Sequence, residues 1–312
     1  MKFRISHSTV FNYKHSVGLC QNEARLKPRS FWRQQCTSSR IETIPEFTDY
    51  QERDDFFGNP VAYFAIHQSH LQLQVTAISH VNILQSAAAR NMASPVSWQQ
   101  VQKQLQETTR PPQYQTQSQS QTQQQSQNAL TELQEARPYV LDSPMITATP
   151  GLADYAKDSF LPGRPLIESV TDLTQRIYSD FTYDPTFTTI ATPLHEVLQH
   201  RRGVCQDFAH LAIGCLRSYG LAARYISGYI ETLPAPGVPR LVGADASHAW
   251  FSVFVPGTGW LEFDPTNNSL PSDQHITLGW GRDYSDVTPL KGIAYGGGEH
   301  ELSVSVDVLR LE

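Results

Sequence analysis

Cys205 lies at the boundary between a loop and a segment whose apolar residues have helical spacing. The segment GVCQDFAH, residues 203–210, leads into apolar residues spaced three and four apart, which predicts a helix that begins at Cys205 and ends at Gly220. The first N–H groups of a helix have no partners within it, and its dipole places about half a positive charge there, which favours thiolate over thiol. Cys215 lies inside the same apolar stripe without that help. We interpret Cys205 as the reactive thiol and Cys215 as a core residue.

A histidine and an aspartate downstream complete a possible catalytic set. A thiolate becomes a catalyst when a histidine holds its proton and an acceptor orients that histidine. His248 stands at the start of a predicted strand, and residues 259–265 are interpreted as its antiparallel partner. If the loop runs from 255 to 259, Thr266 lies opposite His248 and Asp264 is its diagonal neighbour on the same face. A loop of four residues would place the two on opposite faces unless a bulge intervenes, so both registers stay open.

The segments that carry these residues resemble a known family. GVCQDFAHL, LRSYGLAARYISGYI and ADASHAWFSVFVPGTGWLEFDPTNN closely resemble the bacterial transglutaminase-like family, whose papain-like core carries Cys, His and Asp in that chain order. FTYDP and TPLHEVLQHRRG upstream, and GRDYSDVTPLKGI and GGGEHELSVSVDV downstream, are similar to it as well. DDFFGN and the alternating strands after it are similar to the β-domain that precedes the core in bacterial members. The resemblance covers about half the chain densely, and a glutamine-rich tract departs from it as an insertion.

The resemblance implies a thioester mechanism on an amide substrate. Cys205 would be the nucleophile that attacks a carboxamide carbon, His248 the general base and acid that protonates the leaving amine, and Asp264 the residue that fixes the histidine tautomer. Water as the acceptor gives hydrolysis, and a primary amine gives transamidation. The backbone N–H of Cys205 is a predicted oxyanion donor, and Tyr183 and Gln206 are the candidates for a second donor or a supporting contact.

Each assignment has a structural alternative. Free cysteine is among the most buried residue types, His248 alone could cap a strand, and Asp264 alone could be a turn former. His210 is expected to face solvent or a polar partner, and a metal site of Cys205, His210 and His248 would lack a fourth ligand. Asp207 is expected to serve the helix dipole in the first turn. At the level of function, the alternative to an enzyme is a catalytically silent scaffold or binding protein.

The composition limits the partners. Lys plus Arg number 24 against 30 Asp plus Glu, a net charge of −6, so nucleic acid is not an expected partner. The N-terminal residues lack the apolar stretch of a secretory signal, and no run approaches the ~20 apolar residues of a membrane span. The four cysteines are too scattered for a disulfide framework or a zinc site, so we expect a reducing cytoplasm, no cofactor and no metal. A peptide or protein substrate is the expected partner, no oligomeric state is specified, and abundant cytoplasmic water favours hydrolysis over cross-linking.

The elements that must position these residues are predicted from periodicity. Apolar residues alternate at period two in the first eighty or so residues and again in 302–308, whereas helical spacing dominates after residue 150 and strands return after Gly220. Periodicity predicts an α+β fold that begins with an antiparallel domain of β-sandwich type, and the resemblance implies a papain-like or transglutaminase-like core with helices packed on an antiparallel sheet. The glutamine tract cannot bury enough surface to offset its ordering entropy. The predicted organisation is a β-domain at 1–90, a helical linker at 91–150 with a flexible glutamine-rich insertion at 113–128, a catalytic core at 151–295, and a C-terminal strand at 296–312 that joins either sheet.

Overall fold

The protein divides into two compact units. The computed structural model describes residues 1–84, 92, 94–107, 121–232 and 246–311, without the side chains of 121–128 and 246. Unit 1 comprises Met1–Ser86, Ile226–Ala249 and Ser272–Glu312, and unit 2 comprises Ala87–Tyr225 and Trp250–Pro271. The described residues combine helices with largely antiparallel sheets, which confirms the predicted α+β class.

Thirteen strands and six α-helices occur in the described part of the chain. In chain order they are β1 (Lys2–Ala24), β2 (Gln34–Ile44), β3 (Asp49–Asp54), β4 (Pro60–Ile66), β5 (His70–Ile83), α1 (Trp98–Gln106), α2 (Gln121–Ala136), α3 (Pro150–Ala156), α4 (Leu166–Asp180), β6 (Thr182–Tyr183), α5 (Leu194–His200), β7 (Arg202–Gly203), α6 (Cys205–Ser218), β8 (Ala223–Ile230), β9 (Ala246–Val255), β10 (Gly259–Phe263), β11 (His275–Gly281), β12 (Leu290–Gly296) and β13 (His300–Leu311).

The long strand β1 organises the antiparallel sheet of unit 1. The strand order is β2-β5-β1-β4-β3, and β12 and β13 both pair with β1. The first half of β1 pairs with β5 and β13, whereas its second half pairs with β4 and β12. The C-terminal strand therefore joins the sheet of the N-terminal region, which resolves the alternative that the sequence left open.

Alternation predicts which side chains of unit 1 are buried, with Leu71, Leu302 and Val304 as exceptions. Every second residue of β5 from Leu73 to Ile83 is buried, as predicted. In β13, Val306 and Val308 are buried because they pack with Tyr229 and its neighbours in an apolar cluster. Leu302 and Val304 share the alternation, yet they are 53% and 51% exposed. A period-two pattern thus gives the face of a strand, but coverage by other elements decides burial.

The four-stranded sheet settles the register of the β9–β10 hairpin. Its strand order is β10-β9-β8-β11. Val255 pairs with Gly259, and the ladder continues to Phe251 opposite Phe263. This is the five-residue loop, so the register that assigns His248 and Asp264 to the same face is the one adopted.

The helices of unit 2 begin where their sequences predict. Ser97 forms a capping box at the start of α1, and the apolar stripe of α4 is buried. Residues 113–120 of the predicted flexible insertion lie outside the described residues, but residues 121–128 belong to α2. Glutamine is a good helix former, and this helix continues to the buried Ala136, so helix replaces irregular chain there. No helix among the described residues is both long and apolar enough to cross a membrane.

Helix α6 is the buried centre of unit 2. It contacts α3, α4 and α5, and residues 207–217 are all buried, more than the single predicted stripe. Gly214 allows the close packing, since a Cβ there would lie 2.9 Å from a methyl carbon of Leu152 and 3.1 Å from one of Leu194. The helix ends before Gly220, whose φ of +66° fits the predicted left-handed terminus.

Candidate active site

The thiol of Cys205 stands at the first residue of α6. The preceding strand β7 pairs in parallel with β6, so that Tyr183 lies opposite Gly203. Val204 is the extended N-cap residue, and the chain turns directly into the helix at Cys205. Cys205 is half-buried and free of any disulfide. The predicted position of this cysteine at a helix start is therefore confirmed, and the thiol lies among the unpaired N–H groups of the first turn.

Asp207 holds the start of this helix in place. Its Oδ2 accepts a 2.8 Å hydrogen bond from the backbone N–H of Val204 and another of 2.8 Å from the hydroxyl of Thr188. A glycine is required at 203, because a Cβ there would fall 2.8 Å from both Cβ and Oδ2 of Asp207. Asp207 is only 3% exposed, and this burial raises the pKa of its carboxyl. The aspartate thus caps the helix, as its place in the first turn predicts, and links the loop at Thr188 to the turn that carries Cys205.

The two candidate oxyanion residues differ in what they contact. Burial raises the pKa of the Tyr183 hydroxyl, and electrostatic interaction with Cys205 and Asp207 raises it further. Tyr183 therefore lies within electrostatic range of the thiol, although its side chain is 54% exposed. Gln206 instead donates through Nε2 to the carbonyl of Ile190 at 3.4 Å. Gln206 is thus engaged by the neighbouring loop, whereas Tyr183 interacts electrostatically with Cys205.

The second cysteine of the helix is a core residue. Cys215 is fully buried, and its Sγ lies 3.5 Å from the carbonyl oxygen of Leu152. Burial raises the pKa of the Cys215 thiol to about 12. The prediction that Cys215 is a core residue is therefore confirmed. A thiol so hard to ionise is also a poor nucleophile.

His248 is located in unit 1, on β9, and is 7% exposed. The ring of a second histidine, His275, lies 5.8 Å away between centroids. The backbone N–H of Ser272 donates to Nδ1 of His275 at 3.2 Å, so the proton of a neutral His275 is assigned to Nε2. His275 is 2% exposed and was missed in the sequence, where only a polar turn, SDQ, before the strand marks it.

Asp264 follows the last residue of β10 and is fully buried. Its Oδ1 accepts hydrogen bonds from the backbone N–H groups of Thr266 at 3.0 Å and Asn267 at 3.2 Å, and its Oδ2 accepts one of 2.7 Å from the Asn267 amide. The residue is thus a turn former, as its structural alternative proposed. A buried carboxylate held by three donors is also rigid enough to orient a neighbouring group.

His210 corrects half of one expectation. The sequence predicts that it faces solvent or a polar partner, and the structure excludes solvent, because His210 is 4% exposed and its ring packs 5.0 Å from that of Tyr225. The helix is enclosed on more sides than its apolar stripe indicates, so a residue one place off the stripe is buried as well.

The candidate site residues are divided between the two units. Cys205, Asp264 and Tyr183 belong to unit 2, and His248 belongs to unit 1.

Comparison with known protein families identifies the family to which this chain belongs. Family profiles match at residues 3–82, the bacterial transglutaminase-like N-terminal region, and at residues 154–265, the transglutaminase-like superfamily. The chain belongs to the transglutaminase-like superfamily. Family and fold together support a thiol-dependent enzyme in general terms.

Individual relatives agree with this family. The chain is 39% identical over 316 residues to an uncharacterized protein of Mycobacterium bovis, covering 100% of this chain and 93% of the relative. It is 34% identical over 103 residues to a protein-glutamine gamma-glutamyltransferase of Pseudomonas aeruginosa, covering 31% of this chain and 15% of that protein. A crystal structure of a candidate cysteine protease from Cytophaga hutchinsonii aligns with a TM-score of 0.69 at 17% identity, covering 100% of this chain and 92% of that one, which shows a shared fold.

Proposed function

We propose that the protein is a thiol-dependent amide hydrolase, a cysteine peptidase or amidase, acting on peptide or isopeptide amides. Cys205 is the nucleophile, His248 the general base and acid, and Asp264 the carboxylate that orients the histidine. The single observation that supports this most is the location of the half-buried Cys205 thiol at the capped N-terminus of the buried helix α6. Neither a cofactor nor a metal is needed for this chemistry.

The proposed reaction proceeds through a thioester. The Cys205 sulfur forms a bond to the amide carbonyl carbon, His248 delivers the proton to the leaving amine, and the C–N bond breaks. Water then attacks the thioester, with His248 accepting its proton, and the Cys205 thiolate leaves. The Cys205 backbone N–H and the Tyr183 hydroxyl are the proposed donors to the carbonyl oxygen as it gains negative charge.

Transamidation is the second candidate, and the name of one relative favours it. The relative from Pseudomonas aeruginosa is called a protein-glutamine gamma-glutamyltransferase, and the similarity covers 31% of this chain. In this reaction a primary amine replaces water as the acceptor of the same Cys205 thioester. We favour hydrolysis because water is present at every thioester, whereas an amine must be bound and deprotonated before it attacks.

Alkylation of the thiols tests the nucleophile and separates an enzyme from a silent scaffold. Cys36 is an internal control, because it is also a half-buried free cysteine, and burial raises the pKa of its thiol. We expect iodoacetamide at pH 6 to modify Cys205 much faster than Cys36, as read by peptide mass spectrometry. His248→Ala should remove this low-pH reactivity, whereas His67→Ala, at an exposed histidine, should preserve it. Equal rates at Cys205 and Cys36 would favour the scaffold.

A glutamine peptide separates the two reactions. It is incubated with the enzyme, with and without a fluorescent primary amine, and ammonia release is compared with amine incorporation. Release of ammonia and acid that exceeds amine incorporation supports hydrolysis. Incorporation that outruns release would reverse the ranking in favour of the transamidase, and Cys205→Ala must abolish either signal.

A further inference from the structure

Unit 2 contains a pocket beside helix α6. Its volume is about 560 Å³, within the range of roughly 300 to 1,000 Å³ typical of small-molecule sites. The lining comes from the segments 144–152 and 190–198, and from Asp207 and His210 of α6. Among the described residues that line it, none is a member of the proposed triad. The pocket is therefore a separate feature that the proposed reaction leaves unused.

Helix geometry separates this pocket from the Cys205 thiol. An α-helix turns about 100° per residue, so the side chains of Asp207 and His210 point about 200° and 140° around the axis from that of Cys205. Gly214, about 180° from Cys205 by the same count, packs against Leu152 of the pocket lining. The body of the helix, about 10 Å across, thus lies between the thiol and the pocket. A ligand in the pocket is therefore expected to bind without contacting the thiol.

The walls of the pocket are mainly apolar and favour an aromatic ring. Leucine and proline side chains form most of them, together with Ile190 and Met145. The sulfur of a methionine makes favourable contacts with aromatic rings. The imidazole rings of His195 and His210 add flat surfaces on which a further ring can pack. A ligand with an aromatic body therefore fits these walls.

Asp207 retains an acceptor atom for such a ligand. Both of its hydrogen bonds, from Val204 and Thr188, fall on Oδ2. Within the described part of the chain, Oδ1 has no hydrogen-bond partner. A carboxylate that is 3% exposed loses most of its hydration, so a donor that binds to Oδ1 replaces contacts with water that burial removed.

The charges around the pocket favour a neutral ligand. An anion would meet the Asp207 carboxylate, and neither lysine nor arginine occurs in the described lining. A cation would lose its hydration among apolar walls for one carboxylate, whose charge is already offset by two hydrogen bonds and by the positive end of the α6 dipole. It would also face His195 and His210, whose protonation would add positive charge to the same walls. A neutral donor forms the hydrogen bond to Oδ1 without burying a charge of its own.

We propose that this pocket binds a neutral phenol, whose hydroxyl donates to Asp207 Oδ1 and whose ring packs against Met145 and the apolar walls. A hydrogen bond from a hydroxyl to a carboxylate is charge-assisted and therefore strong. Two sources share this chemistry, a free phenolic compound and the tyrosine side chain of a peptide substrate. The position of the pocket across α6 from the Cys205 thiol favours the free compound. The tyrosine source rests on the proposed function, whereas phenol binding by itself does not.

Calorimetric titration of the full chain tests the pocket without any need for turnover. The probes 4-ethylphenol and 4-ethylanisole share the apolar body, but only the first has a hydroxyl donor. A hydrogen bond to a charged group predicts that the phenol binds about 10- to 100-fold more tightly than the anisole. The phenol should also bind more tightly than the cation 4-ethylbenzylamine and the anion 4-ethylbenzoate. Equal affinities for phenol and anisole, tighter binding of either charged probe, or no binding of the phenol overturns the proposal.

Asp207→Asn tests the acceptor atom. The new amide keeps an oxygen for the Val204 N–H and presents an N–H donor where Oδ1 stood, so the preference for phenol over anisole should disappear. Glu196→Gln, at an exposed acid, is the matched control and should preserve the preference. A preference that survives Asp207→Asn contradicts the assignment of Oδ1 as the acceptor.

A further variant guards against misfolding of Asp207→Asn. Thr147→Trp fills the exposed rim of the pocket and should weaken both 4-ethylphenol and 4-ethylanisole. Unchanged affinities in this variant would show that the probes bind elsewhere and would overturn the proposal.

The two sources are separated by kcat/KM for paired tyrosine and phenylalanine peptides. A tyrosine preference that Asp207→Asn removes identifies the substrate side chain, and phenol binding without that preference identifies a free compound. If no peptide is turned over, the proposed function fails and the titration still decides the pocket.

Discussion

Replacing Gly203 with alanine tests the close contact between Gly203 and Asp207, which holds Cys205 at the start of its helix. The new Cβ would lie 2.8 Å from both Cβ and Oδ2 of Asp207, and a Cβ does not approach other heavy atoms so closely in folded proteins. The carboxylate can rotate away, but the Asp207 Cβ moves only with the first turn of α6. We therefore expect Gly203→Ala to break the cap on Val204 and to displace the turn that carries the thiol.

The expected size of the effect follows from these contacts. Loss of an N-cap hydrogen bond costs about 1 kcal/mol, and overpacking a tight site costs about 1 to 3 kcal/mol. The free energy of unfolding should therefore fall by about 2 to 4 kcal/mol. Because a displacement of about 1 Å in a reacting group costs roughly 100-fold in rate, kcat/KM for peptide hydrolysis should fall by about that factor.

Urea unfolding and peptide turnover are measured on the same preparations. Gly18→Ala is the matched control, because a Cβ at Gly18 meets nothing within 4 Å. The control should match the wild type in both measurements. If Gly203→Ala were as stable and as active as Gly18→Ala, the reasoning that Gly203 and Asp207 position the Cys205 thiol would be refuted.

Three further outcomes are expected. Cys215→Ser places a hydroxyl in the core and should lower the free energy of unfolding by about 1 to 2 kcal/mol in urea titrations, with turnover retained. Burial lowers the pKa of His7 from 6.5 to about 4, so protonation favours the unfolded chain. Stability should therefore be complete above pH 6.5 and fall by about 3 kcal/mol as the pH approaches 4, and His7→Asn should flatten this dependence in unfolding curves at several pH values. Asp264→Asn should lower kcat by about 100-fold or more in peptide assays, with some loss of stability because the new amide meets that of Asn267.

The sequence is most informative where structure depends on neighbours along the chain. Helix α6 begins at Cys205 and ends before Gly220 because a spaced apolar stripe and a glycine that tolerates positive φ specify both ends. The β9–β10 register was predictable as one of two alternatives, since loop length and face are linked. These features determine the elements that carry Cys205, His248 and Asp264.

Features that depend on distant parts of the chain were beyond the sequence. The packing of His275 beside His248 brings together two strands, and no local motif marks it. The burial of His210 could not be predicted, because the number of elements around α6 is a property of the whole unit. The second role of Asp207, as a wall of the pocket, likewise depends on loops that arrive from residues 144–152 and 190–198.

The pairing of β1 with β13 has a consequence for how the protein is made. Lys2 pairs with Leu311, so the ribosome must synthesise every residue between them before this ladder closes. Until then one edge of β1 exposes unpaired backbone groups, a template for mispairing with other nascent chains. Contacts of such long sequence separation also slow folding. A chaperone that shields this edge during translation would therefore raise the yield of soluble protein more than one that acts after release.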